Sequence, residues 1–175
     1  MPGKPRQVAW ISLGSNLNPE VEIHRALTQL EQTFGRLTLS QTYRSEPVGL
    51  NVDHCAPFLN LVAGLTTELT PQALVKRLKA IEGPTPSQAP ANHYCRALDL
   101  DLICLDAFQG HFGRLVLPYP SLLKHDFVLR PMAELTPHQT PPGYALSYQQ
   151  LWQLHAHADQ RMQAVELDWL PGAPK

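Results

Sequence analysis

The order in which hydrophobic periods change along this chain restricts its fold more than any single residue does. Val8 to Leu13 is a short apolar run ending in the turn Gly14-Ser15-Asn16, which reads as a strand. Asn18-Pro19 then opens a helix, with Asn as cap, Pro at the first helical position and Glu20 and Glu22 in the first turn. Ile23, Leu27, Leu30 and Phe34 fall on one face of it, and Gly35 ends it. Thr38 to Ser45 reads as a second strand, stopped by Glu46-Pro47-Val48-Gly49. Phe58 to Leu69 reads as a long third strand: Leu59, Leu61, Ala63 and Leu65 line one face, Phe58, Asn60 and Val62 the other. Thr70-Pro71 repeats the cap-plus-proline start, Leu74, Val75, Leu78 and Ile81 form the stripe of a second helix, and Gly83 stops it. Arg96 to Leu105 reads as a fourth strand.

Strand, helix, strand, strand, helix, strand is the split βαβ order. It predicts an α+β, ferredoxin-like sandwich with a mainly antiparallel sheet and both helices on one face. The other face is left for further elements or a ligand. After the fourth strand, the expected features are Pro118-Tyr119-Pro120, a short helix around Ser121 to His125, a proline-rich return through Pro142 and an amphipathic helix over Tyr148 to His157. No repeat or composition shift divides the chain, so residues 1–175 read as one domain.

Composition excludes several function classes. Fourteen Lys+Arg nearly balance fifteen Asp+Glu, which argues against a nucleic-acid or membrane surface working by general basicity. No apolar run approaches the ~20 residues of a membrane span, and Met1 to Gln7 lacks the apolar stretch of a signal peptide. Cys55, Cys95 and Cys104 form no CxxC pair and leave an odd thiol, which reads as a reducing, cytoplasmic compartment. The histidines form no HExxH, and His155 and His157 are two apart, a poor helical chelate spacing, so they read as surface residues rather than zinc ligands. The 17 prolines exceed the usual share of about 5%, but they are scattered and read as loop punctuation.

The strongest chemical signal is Arg96-Ala97-Leu98-Asp99-Leu100-Asp101-Leu102. Residues two apart in a strand share a face, roughly 6.5–7 Å apart. Leu98, Leu100, Leu102 and Cys104 are therefore expected in the core, with Asp99 and Asp101 together on the opposite face. Asp is disfavoured in strands, so two on one face of one strand point to Mg2+, which takes carboxylate oxygens plus substrate phosphates. The plainer reading is a solvated strand face. A glycosidase acid/base pair is disfavoured, because same-strand neighbours titrate alike. Phe58 and Asn60 share a face of the third strand and suit a flat heterocycle: the ring stacks and the amide reads an edge. Taken alone, that pair is more simply an ordinary half-buried strand face. Gly14-Ser15-Asn16 matches neither a P-loop nor GxGxxG, and Glu82 reads by itself as a surface carboxylate.

Together these segments resemble the 6-hydroxymethyl-7,8-dihydropterin pyrophosphokinase family. The matching pieces are Ile11 to Leu17, Tyr43 to Gly49, Phe58-Leu59-Asn60, Arg96 to Leu102, Phe127 to Pro131 and Glu134 to Pro137, in family order over most of residues 8–143. The resemblance implies a ferredoxin-like fold and transfer of pyrophosphate from ATP to the pterin hydroxymethyl group, leaving AMP. It implies two Mg2+ ions on Asp99 and Asp101, with Arg96 also in the catalytic set. Ser45, Pro47, Val48, Phe58, Asn60, His93 and Phe127 would meet the pterin. Glu82, Arg96, Leu102, Arg114, Tyr119, Lys124 and His125 would meet the nucleotide. The implied partners are ATP and a reduced pterin; charge, apolar runs and cysteines add the expectation of a cytoplasmic chain with no nucleic-acid or membrane partner, a monomer with an oligomer left open.

The chain departs from the family pattern in three places. Gly83 to Cys95 holds three prolines and no Lys, Arg, Asp or Glu, where the family's loop carries arginines. His93 stands at a tryptophan position. Pro118-Tyr119 replaces a Pro-His, and His125 replaces an arginine. A pterin- or nucleotide-binding paralogue with weak or altered kinase activity is the alternative these departures raise. An RNA-binding ferredoxin-like domain is disfavoured, because Asp99 and Asp101 would repel phosphate.

Overall fold

A computed structural model describes residues 5–47, 56–84, 95–157 and 161–172. The strands β1 (Gln7–Ser15), β3 (Thr42–Ser45), β4 (Phe58–Thr67) and β5 (Asp99–Leu105) build one sheet in the order β5-β1-β4-β3, and every pairing in it is antiparallel. This is the spatial order that the split βαβ reading requires. β2 (Thr38–Leu39) pairs with β4, and β8 (Met162–Val165) adds a further edge beside β3.

Two apolar layers hold the sheet. The helices α1 (Pro19–Phe34) and α2 (Pro71–Glu82) pack Ile23, Leu27, Leu30, Leu74, Leu78 and Ile81 against Leu59, Leu61, Ala63, Leu65, Leu100 and Leu102. Fully burying one such leucine is worth about 1.5–3 kcal/mol. On the opposite face, α3 (Asp126–Leu135) and α4 (Tyr148–His155) pack Val128, Leu129, Met132, Tyr148 and Leu151 against Trp10, Val62 and Ile103. Gly64 lies under the Trp10 ring, where any side chain would collide with it. Among the described residues no helix is long and apolar enough to cross a membrane.

Several local expectations are corrected. The expected second strand breaks into β2 and β3 at Ser40-Gln41, because Ser40 Oγ replaces a backbone acceptor for the Val62 N–H at 2.9 Å. The fourth strand begins at Asp99 rather than Arg96. A register shift between Trp10 and Ile11 pairs Trp10 with Cys104 but Ile11 with Leu102. Alternation therefore fails at Cys104, which joins the α3/α4 layer, while Leu105 faces α1 and α2. Asn18 adopts a left-handed conformation (φ 49°) and makes no side-chain cap. Thr70 does cap, accepting from Ala73 N–H. The short helix placed at Ser121 to His125 is a turn, and the helix follows it, with Pro131 inside its span. The hairpin β6 (Gly110–Phe112) and β7 (Leu115–Leu117) carried no sequence signal strong enough to predict it.

The cysteines also divide. Cys95 is disulfide-bonded, not a reduced thiol as the cysteine count suggests. Cys104 is free, buried and 3.5 Å from the Tyr148 hydroxyl. Burial lifts the Cys104 thiol from 9.0 to about 11. Between those pH values the unfolded chain loses this proton and the folded chain keeps it, so stability falls as pH rises through that window. Native protein at pH 8 is expected to leave Cys104 unmodified by a thiol reagent, and urea to expose it; mass spectrometry of the labelled protein reads both.

Candidate active site

Cross-strand pairing assembles the site. Gly14 in β1 pairs with Asp99 on one side and Asn60 on the other, and Ser12 pairs with Asp101. Paired residues share a face, so the carboxylates, Asn60 and Phe58 all stand on the side of the sheet away from α1 and α2. A Cβ on Gly14 would lie 3.0 Å from Asn60 Oδ1 and 3.8 Å from the Phe58 ring. The glycine is thus the floor that lets both side chains occupy the face.

A cleft of about 380 Å3 opens over this floor, lined by Ser12, Gly14, Ser45, Glu46, Pro47, Phe58, Asn60, Arg96, Asp99, Asp101, Tyr119, His125, Phe127 and Val128. Its two ends differ chemically. At one end Asn60 is buried and donates from Nδ2 to Ser45 Oγ at 2.8 Å. That bond fixes the amide and leaves its oxygen towards Gly14. Phe127 stacks on His125 at 4.8 Å between ring centroids. A flat heterocycle with a hydrogen-bonding edge fits such walls.

The other end holds the two carboxylates, each about one-third exposed, with Lys79 Nζ 3.6 Å from an oxygen of both. Burial, then the neighbouring Asp99 charge, raises the Asp101 carboxyl above its usual range, against the pull of Lys79. Burial works to lower Lys79, but its hydrogen bond to Glu82 and the Asp101, Glu82 and Asp99 charges outweigh it, so its affinity for the proton rises. Tyr119 is raised by burial and then by Asp101 and Asp99, so it presents a protonated hydroxyl. Among the described residues no group of three or more His, Cys, Asp or Glu side chains could hold a metal. Two carboxylates already neutralised by a cation still fit Mg2+, which keeps several waters and takes its remaining oxygens from phosphates.

The sequence-derived residues separate on this map. Ser45, Pro47, Phe58, Asn60, Arg96, Asp99, Asp101, Tyr119, His125 and Phe127 line the cleft. Val48 and His93 lie outside the described residues. Glu82, Leu102, Arg114 and Lys124 are not in the lining. The Leu102 side chain is in the core, because it alternates with Asp101. Arg114 is exposed in the turn between β6 and β7, and Lys124 is exposed just before His125. Glu82 accepts the Leu100 N–H at 2.9 Å, tying the end of α2 to β5. Its plain reading as a surface carboxylate misses that bond. Lys79 escaped sequence reasoning because nothing in a helix stripe says that its ammonium reaches a strand twenty residues on.

His125 is not a simple substitute for a cation. Burial, then the Lys124 and His157 charges, lower its pKa from 6.5, against Asp126. It is therefore neutral at pH 7, and its buried Nδ1 has no hydrogen-bond partner among the described residues.

Asn16 carries a further role that its turn context does not reveal. It is buried, accepts the Arg96 N–H through Oδ1 at 2.6 Å and donates to the Ala56 carbonyl at 3.2 Å. Its own N–H meets the Arg96 carbonyl at 3.0 Å. The Arg96 backbone is thereby clamped where its residue lines the cleft. Asn16→Ala strands buried partners and is expected to lower stability by about 2–3 kcal/mol, measured by urea denaturation.

Comparison with known proteins agrees with this architecture. A family model for 7,8-dihydro-6-hydroxymethylpterin-pyrophosphokinase (HPPK) matches residues 10–137. The Porphyromonas gingivalis 2-amino-4-hydroxy-6-hydroxymethyldihydropteridine pyrophosphokinase is 35% identical over 136 residues, covering 74% of this chain and 91% of that protein. The Haemophilus influenzae enzyme of the same name is 33% identical over 130 residues, covering 73% and 80%. A Plasmodium falciparum HPPK-DHPS structure with pterin and p-hydroxybenzoate superposes with a TM-score of 0.68 at 13% identity, over 87% of this chain and 42% of that one. The chain thus spans less than half of that chain's length, and this likeness concerns the fold. A family match over most of the sequence and relatives above 30% identity settle the assignment: the chain belongs to the 7,8-dihydro-6-hydroxymethylpterin-pyrophosphokinase family.

Proposed function

We propose that this pyrophosphokinase transfers the pyrophosphoryl group of ATP to the hydroxymethyl group of 6-hydroxymethyl-7,8-dihydropterin, releasing AMP, in folate biosynthesis. The observation that carries the reading is the row Asp99, Gly14, Asn60. It sets Asn60 and the carboxylate pair on one strip of sheet with only a glycine between them, which supports a heterocycle held next to the carboxylates. The hydroxymethyl oxygen forms a bond to the β-phosphorus, the bond from that phosphorus to the oxygen of AMP breaks, and the hydroxyl proton is released.

Phosphoryl transfer demands mostly positioning and charge neutralisation. Phe58 and Phe127 would hold the pterin ring, and Asn60, braced by Ser45, would read its edge. Pro47 shapes the same end, and Val48 and His93 remain candidates by resemblance. Asp99 and Asp101 would hold two Mg2+ ions, which when bound supply the charge and geometry that orient the phosphates. Arg96 extends the cationic side, and Tyr119 offers a hydroxyl donor there. His125 presents a neutral ring whose Nδ1 has no partner among the described residues, and a ligand donor can meet it. Lys124 and Arg114 would act only at the outer part of the nucleotide. The same reading takes these two small molecules as the partners of the cleft.

Two measurements test it. Purified protein with ATP, the pterin alcohol and Mg2+ is expected to release AMP, and Asp99→Ala or Asp101→Ala to lower kcat by at least roughly a hundredfold. Wild-type turnover in the double variant would sink the assignment. His125→Arg introduces a charge-assisted donor worth about 1.5–3 kcal/mol and is expected to lower the ATP KM roughly tenfold, read in the same assay. Tight pterin binding by calorimetry with no AMP at high protein concentration would favour the binding paralogue, a reading prompted by the charge-free 83–95 segment.

A further inference from the structure

Lys79 belongs to a helix on one side of the sheet, yet its ammonium meets the carboxylate pair on the other. α2 packs Leu74, Leu78 and Ile81 into the core layer it shares with Leu100 and Leu102. Asp99 and Asp101 face away from that layer. β5 is the outermost strand at its end of the sheet, so the lysine stem passes around its free edge. The ammonium then stands 3.6 Å from Asp99 Oδ1 and 3.6 Å from Asp101 Oδ1.

What aims the lysine is Glu82. Its Oε2 holds Lys79 Nζ at 2.6 Å and accepts the Leu100 N–H at 2.9 Å. Leu100 lies between the two aspartates in the strand. One carboxylate therefore fixes the lysine to the same backbone that presents the pair. Arg96 is less well placed for this, with Nη1 4.0 Å from Asp99 Oδ1.

We propose that Lys79 is the resident counter-cation of the Asp99–Asp101 pair: it fills the divalent-ion position in the resting protein, yields it when the ion binds, and then faces the bound phosphates. The proposal rests on the phosphoryl-transfer reading of the cleft. A divalent cation drawn to the same two oxygens, Asp99 Oδ1 and Asp101 Oδ1, would have to enter the space the ammonium spans. Two cations in so small a space repel, so ion and lysine would compete. The lysine stem is flexible, and Glu82 remains its partner after the pair is taken. Turned outward, the ammonium adds positive charge in a chain whose 83–95 stretch, next to Glu82 in sequence, contains none.

Divalent-ion binding to the full-length protein without nucleotide tests this, read by Mn2+ electron paramagnetic resonance and by calorimetry. Lys79→Met removes the competitor and is expected to bind Mn2+ alone roughly tenfold tighter than wild type. Lys79→Arg keeps the charge and is expected to stay near wild type. In turnover, Lys79→Met is expected to raise the ATP KM several-fold. Simple damage to the fold would weaken ion binding, so tighter binding distinguishes the proposal from a structural role. Lys79→Gln serves as a second uncharged variant if the Met protein melts early. Unchanged or weaker Mn2+ affinity in both uncharged variants overturns the proposal. Tighter Mn2+ binding without any AMP formation upholds Lys79 and rejects the phosphoryl-transfer reading; AMP formation with unchanged Mn2+ affinity does the reverse.

Discussion

The antiparallel register of β5, β1 and β4 is the constraint on which the rest of the molecule depends. Gly14 sits at its centre, between Asp99 and Asn60. Neighbouring strands lie about 4.8 Å apart, so the carboxylate and the carboxamide stand roughly 10 Å from each other across a bare glycine. A slip of one residue in β5 would turn Asp99 and Asp101 into the apolar layer and Leu100 and Leu102 out of it. Burying unpaired carboxylates there is far more costly than the gain from any leucine. The leucines packed against α1 and α2 therefore decide which way the chemistry faces.

Charge at the site is balanced from outside the cleft wall. The carboxylate pair repels itself, and its nearest cation is supplied by the far end of α2 around the sheet edge. Glu82 does two jobs at once: it satisfies an edge-strand N–H and holds that lysine. The opposite wall is kept in place by Asp126, buried at the start of α3, which accepts both the backbone N–H and the ring of His157 just beyond α4. That bond closes α3 and α4 into one layer and sets His125 and Phe127 over the cleft.

Much of this was legible in local pattern. Period-2 alternation in Phe58 to Leu65 and in Leu98 to Leu102 assigns faces correctly, because a strand's side chains must alternate. It fails beyond Leu102, where the register shift against Trp10 adds a residue and sends Cys104 to the other layer. The α3 helix was obscured by Pro131, a residue that argues against a helix locally but is tolerated where Val128, Leu129 and Met132 pack on the sheet. Asn18 looks like a cap yet supplies only a left-handed turn. Leu102 illustrates a limit of resemblance: its side chain is committed to the core whatever ligand lies nearby.

The amino-acid order alone determined the sequence of strands and helices, the apolar faces that build the main core, and the shared face of Asp99 with Asp101 and of Phe58 with Asn60. These are consequences of periods two and 3.6, which act within one element. Only the tertiary structure decided that Gly14 joins those two pairs into one cleft, that Asn16 clamps Arg96, and that Lys79 crosses the sheet edge to neutralise the carboxylates. Each of those depends on the register between strands and on side-chain reach through space, quantities that packing sets and local sequence does not encode.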